Sequence, residues 1–200
     1  MSEHYFSQKP HSKSSPKKWS YQLRDRDYTF ESDYGVFSKD EVDFGTRLLV
    51  EQFRLPEIEG DLLDLGCGYG PIGVTLADCF PDRNVVMADI NERAVSLAKQ
   101  NAKHNDATNV EIVQSNRFSA ISERSFAAIL TNPPIRAGKK TVHQMFEESK
   151  DALLQGGELW VVIQKKQGAP SAMEKLNDLF GGVETVARSK GYYILRSANV

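Results

Sequence analysis

The 200-residue chain predicts an α/β fold, three layers deep, around one mostly parallel sheet. Three observations carry this expectation. Short apolar runs alternate with segments of helical period between residues 62 and 163. A glycine-rich turn, Asp64-Leu65-Gly66-Cys67-Gly68-Tyr69-Gly70, joins the first of these runs to its helix. The last two runs, 183–188 and 192–196, are linked only by Ser189-Lys190-Gly191, which admits an antiparallel hairpin but no parallel crossover. The sheet should therefore have seven strands, with the last one antiparallel.

The elements follow in order. Residues 1–20 are polar, with Pro10, Pro16 and several serines, and read as a flexible basic tail ahead of a domain spanning 21–200. Lys9 to Lys18 holds four lysines and no acid. A solvated tail is the plain reading and a phosphate-contacting arm the functional one. Residues 21–35 alternate aromatic and charged types, as a small hairpin or lid would. Ser38 and Glu41 have capping-box spacing, so a helix is expected from Ser38, with Val42, Leu48, Leu49 and Phe53 on its buried face. Strands are expected at 62–65, 84–89, 110–114, 126–131 and 158–163. Pro71 opens one helix, Asn91 caps a second that carries Ala94, Val95, Ala98 and Ala102, and a third runs over about 140–154.

Composition narrows the class. No apolar run approaches the roughly 20 residues that span a bilayer, and the first residues lack the apolar core of a signal peptide. Cys67 and Cys79 show no metal-ligand pattern and read as reduced packing residues, so a cytoplasmic protein is expected. The formal net charge of -2 speaks against a dedicated, strongly basic nucleic-acid binder.

Two loops carry the chemistry. In the first, glycines permit a tight turn and let a ligand approach the backbone, which makes Gly66, Cys67, Gly68 and Gly70 candidate cofactor contacts. Asp89 ends the second strand, nineteen residues after Gly70, where a carboxylate can accept from both ribose hydroxyls of an adenosine. Ile90 belongs to the same site. Gly68-x-Gly70-x-x-Gly73 also matches a dinucleotide pattern. However, Asp64 would repel a pyrophosphate, whereas it can meet the ammonium of S-adenosylmethionine, directly or through water. The third strand runs into Ser115-Asn116-Arg117-Phe118, where Asn116 can read the adenine edge and Phe118 can lie along the ring.

The second loop, Asn132-Pro133-Pro134-Ile135, follows the fourth strand. Two prolines stiffen the backbone, so the Pro133 carbonyl and the Asn132 side-chain oxygen form a fixed pair of acceptors. An exocyclic –NH₂ offers the two matching donors. Ile135 supplies an apolar contact to the flat face of a target, without aromatic stacking.

Together these stretches resemble the class I methyltransferases. Within them they are similar to the catalytic domain of the bacterial 16S ribosomal RNA guanine-N2 methyltransferases of the RsmC type, across residues 28–197. Gly35-Val36-Phe37-Ser38, Ser115 to Ser119 and Gly191-Tyr192-Tyr193 add to the likeness. The resemblance implies a Rossmann-like sheet of order 3-2-1-4-5-7-6, Asp89 on ribose, Asn116 near adenine, Asn132 on the target amine, and a Val36-Phe37 turn closing over the cofactor. It implies S-adenosylmethionine as cofactor and ribosomal RNA or the small ribosomal subunit as partner. The extra N-terminal domain of the two-domain members is missing, and Ile135 replaces their more usual aromatic residue. Protein glutamine or an adenine would satisfy the same two acceptors. A NAD-dependent oxidoreductase and a catalytically silent RNA-binding module are the readings of a different class.

Overall fold

The computed structural model describes residues 6–9 and 12–200. Residues 1–5 and 10–11 of the expected tail lie outside the described residues. Two strands, β1 (Lys17–Leu23) and β2 (Arg26–Ser32), form an antiparallel hairpin apart from the main sheet. This is the hairpin expected from residue 21, begun four residues earlier, so Lys17 to Ser20 belong to a strand and not to a tail. The main sheet contains β3 (Leu62–Leu65), β4 (Val85–Asp89), β5 (Val110–Gln114), β6 (Phe126–Thr131), β7 (Leu153–Gln164), β8 (Glu184–Ser189) and β9 (Tyr192–Ala198). Its seven strands lie in the order β5-β4-β3-β6-β7-β9-β8, and β9 runs antiparallel to both neighbours. Counted within the sheet this is 3-2-1-4-5-7-6, as expected.

Five helices cover the two faces: α1 (Phe44–Gln52), α2 (Pro71–Cys79), α3 (Glu92–His104), α4 (Lys139–Asp151) and α5 (Ala169–Phe180). Alternate residues of the central strands enter separate cores. Leu62, Val85, Met87 and Leu130 pack with Leu49, Leu76, Leu97 and Ala98 of α1, α2 and α3. Leu63, Val86, Ile129 and Leu159 pack with Met145, Phe146 and Leu176 of α4 and α5.

Three elements differ from expectation. Residues 38–43 are not helical; Ser38 has a left-handed backbone, φ 53°, and its hydroxyl donates to the Glu41 carbonyl at 2.5 Å instead of accepting an N–H. The helix begins at Phe44, where Asp43 is the N-cap and accepts from Thr46 N–H at 3.1 Å. The helix expected to reach 154 stops at Asp151, and β7 starts at Leu153, passes Gly156 (φ 79°) and shifts register against β6. α5 has no counterpart in the sequence reading, although Pro170 sits in its first turn, Gly181 (φ 74°) ends it, and Ala172, Leu176 and Phe180 share a buried face.

The hairpin is bound to the domain through side-chain amides. Asn101 on α3 and Asn105, the C-cap of that helix, lie about one turn apart and grip residues two apart on β2. Asn101 accepts from Glu31 N–H and donates to the Glu31 and Tyr69 carbonyls, at 2.7–2.8 Å; Asn105 does the same to Thr29, at 2.8 Å each way. The helix thus satisfies the edge of β2 as a neighbouring strand would. Tyr69 of the glycine loop meets Trp19 and Phe30 edge-on at 5.7 and 5.9 Å, so the hairpin braces that loop from outside.

Replacing Asn101, which is fully buried, strands three backbone groups at once. Asn101→Ala should destabilise the protein by about 1–3 kcal/mol, and Asn105→Ala by less because Asn105 is only half-buried. Urea unfolding of the two variants against the parent measures both.

Candidate active site

β3 and β6 are adjacent and parallel, but the chain leaves β3 for the α2 face and β6 for the α4 face. The crevice between these exits holds a cavity of about 840 Å³, lined by both sequence-predicted loops. A buried hydrogen bond ties its lips together: Thr131 Oγ1, at the end of β6, donates to the Leu65 carbonyl at 2.8 Å.

The glycines divide by role. Gly66 and Gly68 line the cavity with positive φ, 75° and 56°, and a Cβ on either would meet nothing within 4 Å, so bare backbone faces open space. Gly66 and Cys67 donate N–H groups to the Ala88 carbonyl at 2.8 and 3.0 Å, which fastens the loop to the end of β4. Gly70, expected as a cofactor contact, does not line the cavity. It stands at the α2 N-cap with φ 99°, and a Cβ there would lie 2.7 Å from Met87. Its requirement for glycine is one of packing and backbone conformation.

Asp89 lines the cavity, 9% exposed, with Oδ2 taking Gly68 N–H and Oδ1 taking Asn91 N–H, each at 2.8 Å. Burial pushes its carboxyl upward and these N–H donors pull it back. With the Ile90 N–H a third donor, the carboxylate still keeps acceptor capacity for a ribose hydroxyl. Cys67, Ile90, Phe37 and Asn116 also line the cavity, with Phe37 39% exposed at its mouth. Phe118, expected along the adenine, is instead buried in the core shared with α4. Arg117 also lines the cavity, and its guanidinium pairs with Glu148 at 3.0 Å.

Asp64, expected to meet the ammonium directly or through water, stands back from the cavity. The side chain is fully buried behind the glycine loop and does not line the cavity. Its Oδ2 accepts from Gly73 N–H at 2.8 Å, while Oδ1 has no partner among the described residues. Burial raises its carboxyl from an ordinary 3.8 to about 7, with Gly73 opposing the rise and Asp89 adding to it.

On the opposite lip, Asn132, Pro133, Pro134 and Ile135 all line the cavity. The Pro134 and Ile135 carbonyls are used inside a short 3-10 turn, accepting from Ala137 and Gly138, whereas the Pro133 carbonyl takes none of the described backbone N–H groups. Asn132 Nδ2 donates to Asp43 Oδ2 at 3.1 Å and to Thr46 Oγ1 at 3.0 Å, which leaves Oδ1 for the cavity. Asp43 and Thr46 are absent from the sequence reading. Their signal was the Asp-x-x-Thr cap spacing, which competes with Ser38-x-x-Glu41.

The N-terminal segment also reaches the site. Arg93 donates to Ser12 and to the Tyr34 carbonyl, at 2.6–2.9 Å, and Asp33 accepts from the Ser14 hydroxyl and Ser15 N–H at 2.6 and 2.7 Å. The Gln8 carbonyl accepts Glu92 N–H at the start of α3 at 3.1 Å, and Phe6 lines the cavity. Residues 12–15 are therefore pinned to the domain, not a free arm.

These residues fit S-adenosylmethionine: bare backbone at Gly66 and Gly68, spare acceptors on Asp89, and apolar surface at Ile90 and Phe37 beside the Asn116 amide. The buried Asp64 titrates accordingly. Its raised carboxyl means that the native state holds a proton the unfolded chain releases. Native stability therefore declines as pH rises from 3.8 towards 7 and is level above that. Asp64→Asn removes this titration. Its stability relative to the parent should climb by about 1.4 kcal/mol per pH unit inside the window, as read by urea unfolding at pH 5, 6, 7 and 8.

The chain matches the methyltransferase small domain over residues 27–196. It is 60% identical over 201 residues to the protein YbxB of Bacillus subtilis (strain 168), with 100% of each chain covered. Its structure is similar to that of the T. thermophilus 16S rRNA N2 methyltransferase RsmC in complex with AdoMet and guanosine, with a TM-score of 0.83 and 26% identity over 94% of this chain. The chain spans 52% of that protein. A methyltransferase from Pyrococcus furiosus shares the fold, with a TM-score of 0.68 at 21% identity, over 83% of this chain and 90% of that one. By sequence match and by fold, this chain belongs to the methyltransferase small domain family and takes S-adenosylmethionine as its cofactor.

Proposed function

We propose that the enzyme methylates an exocyclic amino nitrogen, guanine N2 of small-subunit (16S) ribosomal RNA. The observation that carries this reading is the pair of acceptors on one lip of the cavity, Asn132 Oδ1 and the Pro133 carbonyl, with the amide nitrogen of Asn132 tied away behind them. Both N–H groups of an amine would be held there, so that its lone pair points across the crevice towards the glycine loop. The cofactor, when bound, supplies an electrophilic methyl group on its sulfonium. The remaining task is alignment of a weak nucleophile, with stabilisation of the positive charge that grows on nitrogen. Pro133 and Pro134 hold the two acceptors in place before the amine arrives. A guanine inside folded RNA must be turned out of its stack to enter.

Charge supports a polyanionic acceptor. Arg136, Lys139 and Lys140 follow the Asn132 loop, Lys165 and Lys166 follow β7, and Lys190 lies in the β8–β9 turn, joined to Lys165 by a 2.8 Å bond from its N–H to the Gly191 carbonyl. All six are exposed, and none is in an ion pair among the described residues. The opposite ends of the strands are mixed in charge: Glu57, Glu59, Asp61, Asp82 and Glu123 stand there with Arg54, Arg83 and Arg124, and Asp61 pairs with Arg124 at 2.8 Å. A net charge of -2 conceals this cluster of six cations. It favours RNA over a protein glutamine, and residence in the cytoplasm accords with a ribosomal substrate.

The test is methylation of 16S ribosomal RNA and of small ribosomal subunits with labelled cofactor, followed by mass spectrometry of the nucleosides. N2-methylguanosine is expected, and methyl transfer to neither substrate would overturn the reading. Asn132→Ala should bind cofactor like the parent and lose about 10²–10³-fold in kcat. Lys165→Glu with Lys166→Glu should weaken RNA binding and flatten its salt dependence by about two counterions, measured by titration at several salt concentrations.

A further inference from the structure

The Asn132 amide has two ends, and only one suits the proposed chemistry. An amine with two N–H groups needs the oxygen; the –NH₂ end would meet it donor to donor. Rotation about the last bond of the side chain exchanges the ends at little intrinsic cost, so something outside the loop must choose between them. The surroundings of Nδ2 make that choice. Asp43 Oδ2, 3.1 Å away, is a carboxylate oxygen and can only accept. Thr46 Oγ1 lies 3.0 Å from the same nitrogen. Turning the amide over would set Oδ1 against the carboxylate, two acceptors face to face in a half-buried place where such a mismatch is poorly screened.

The position of Asp43 is itself determined. The oxygen that takes Asn132 Nδ2 also accepts Thr46 N–H and caps α1. Thr46 is 5% exposed, and Gly45 between them packs so closely on Tyr192 that a Cβ there would come within 2.8 Å of the ring. The start of α1 therefore cannot shift without disturbing β9. A helix end far from the cofactor loop in sequence thus sets the direction of a side chain 89 residues later.

We propose that Asp43, assisted by Thr46, is a positioning residue that fixes the Asn132 amide with its oxygen towards the acceptor amine. The proposal rests on the amino-nitrogen reading given under Proposed function. Asp43 and Thr46 also line the cavity; in the role proposed, Asp43 acts through Asn132.

Three variants separate this role from capping. Asp43→Ser keeps an oxygen able to cap α1, but its side chain ends one atom short of Asn132. Asp43→Asn retains an oxygen at the original distance. Thr46→Val keeps the shape of Thr46, removes the second acceptor, and serves should Asp43→Ser not fold. The first readout needs no acceptor: the side-chain amide signal of Asn132 in ¹⁵N–¹H spectra, identified by its loss in Asn132→Asp. Its protons should be protected from solvent exchange in the parent and in Asp43→Asn, and unprotected in Asp43→Ser. The second readout is turnover on small ribosomal subunits. Asp43→Ser should lower kcat by about 10²-fold with the cofactor KM unchanged, Thr46→Val should lower it by less, and Asp43→Asn should recover most of the loss. Parent-like kcat in Asp43→Ser, a loss carried by cofactor KM, an equal loss in Asp43→Asn, or an Asn132 signal indifferent to Asp43 would each overturn the proposal. If the parent methylates no RNA, the functional reading fails by itself, and the amide protection still decides the clamp.

Discussion

Everything functional in this molecule depends on a crevice that the sheet cannot close. β3 and β6 are hydrogen-bonded neighbours, yet α2 packs on one face and α4 on the other. Where chains depart to opposite faces, nothing fills the space above the strand ends, and open α/β sheets bind their ligands there. The glycine loop forms one lip and the Asn-Pro-Pro-Ile loop the other. The Thr131–Leu65 bond keeps their separation constant, so a donor held by one lip and an acceptor held by the other meet at a set distance.

Holding the lips in place requires interactions unfavourable on their own. Asp64 and Asp89 are both buried carboxylates, and burial raises both. Each is used as an acceptor for loop N–H groups, at Gly73 for Asp64 and at Gly68 and Asn91 for Asp89. The loop in turn is compressed against Met87, which leaves no room for side chains at Gly70 or Gly73. Outside it, Tyr69 is wedged against Trp19 and Phe30, and its hydroxyl donates to the Glu41 carbonyl at 3.1 Å. The N-terminal hairpin is therefore part of the site's support, since it braces both the glycine loop and the segment from Val36 to Asp43 that walls the cavity.

Much of this was legible in the sequence because it is local. Strand and helix periods placed the seven sheet strands, and Gly66, Gly68, Asp89, Ile90, Asn116 and Asn132 to Ile135 do gather around one cavity. The misreadings have a common cause: each concerns a residue type that serves two purposes. Ser38-x-x-Glu41 and Asp43-x-x-Thr46 both carry cap signals, and only the packing of α1 on β7 and β9 decides which opens the helix. Phe118 can stack on a ligand or fill a core, and the core was adjacent. Gly70 can face a ligand or a methionine. The basic residues of the first twenty look like a solvated run until Arg93 and Asp33, distant in sequence, bind Ser12, Ser14 and Ser15.

The sequence by itself determined the alternation of strands and helices, the family, the cofactor, and the two loops that meet at the crevice, because periodicity and turn chemistry act between near neighbours. Only the tertiary structure decided how those parts are aimed. Asp43 lies beside Asn132 because α1 is seated against β9, and the amide direction follows from that contact alone. The six exposed cations collect at one end of the strands because the chain segments after β6 and β7 and the β8–β9 turn all lie on that side. Neither the distance between residues 89 apart nor the end on which a charge falls is written in local pattern; both arise when the sheet brings distant segments together.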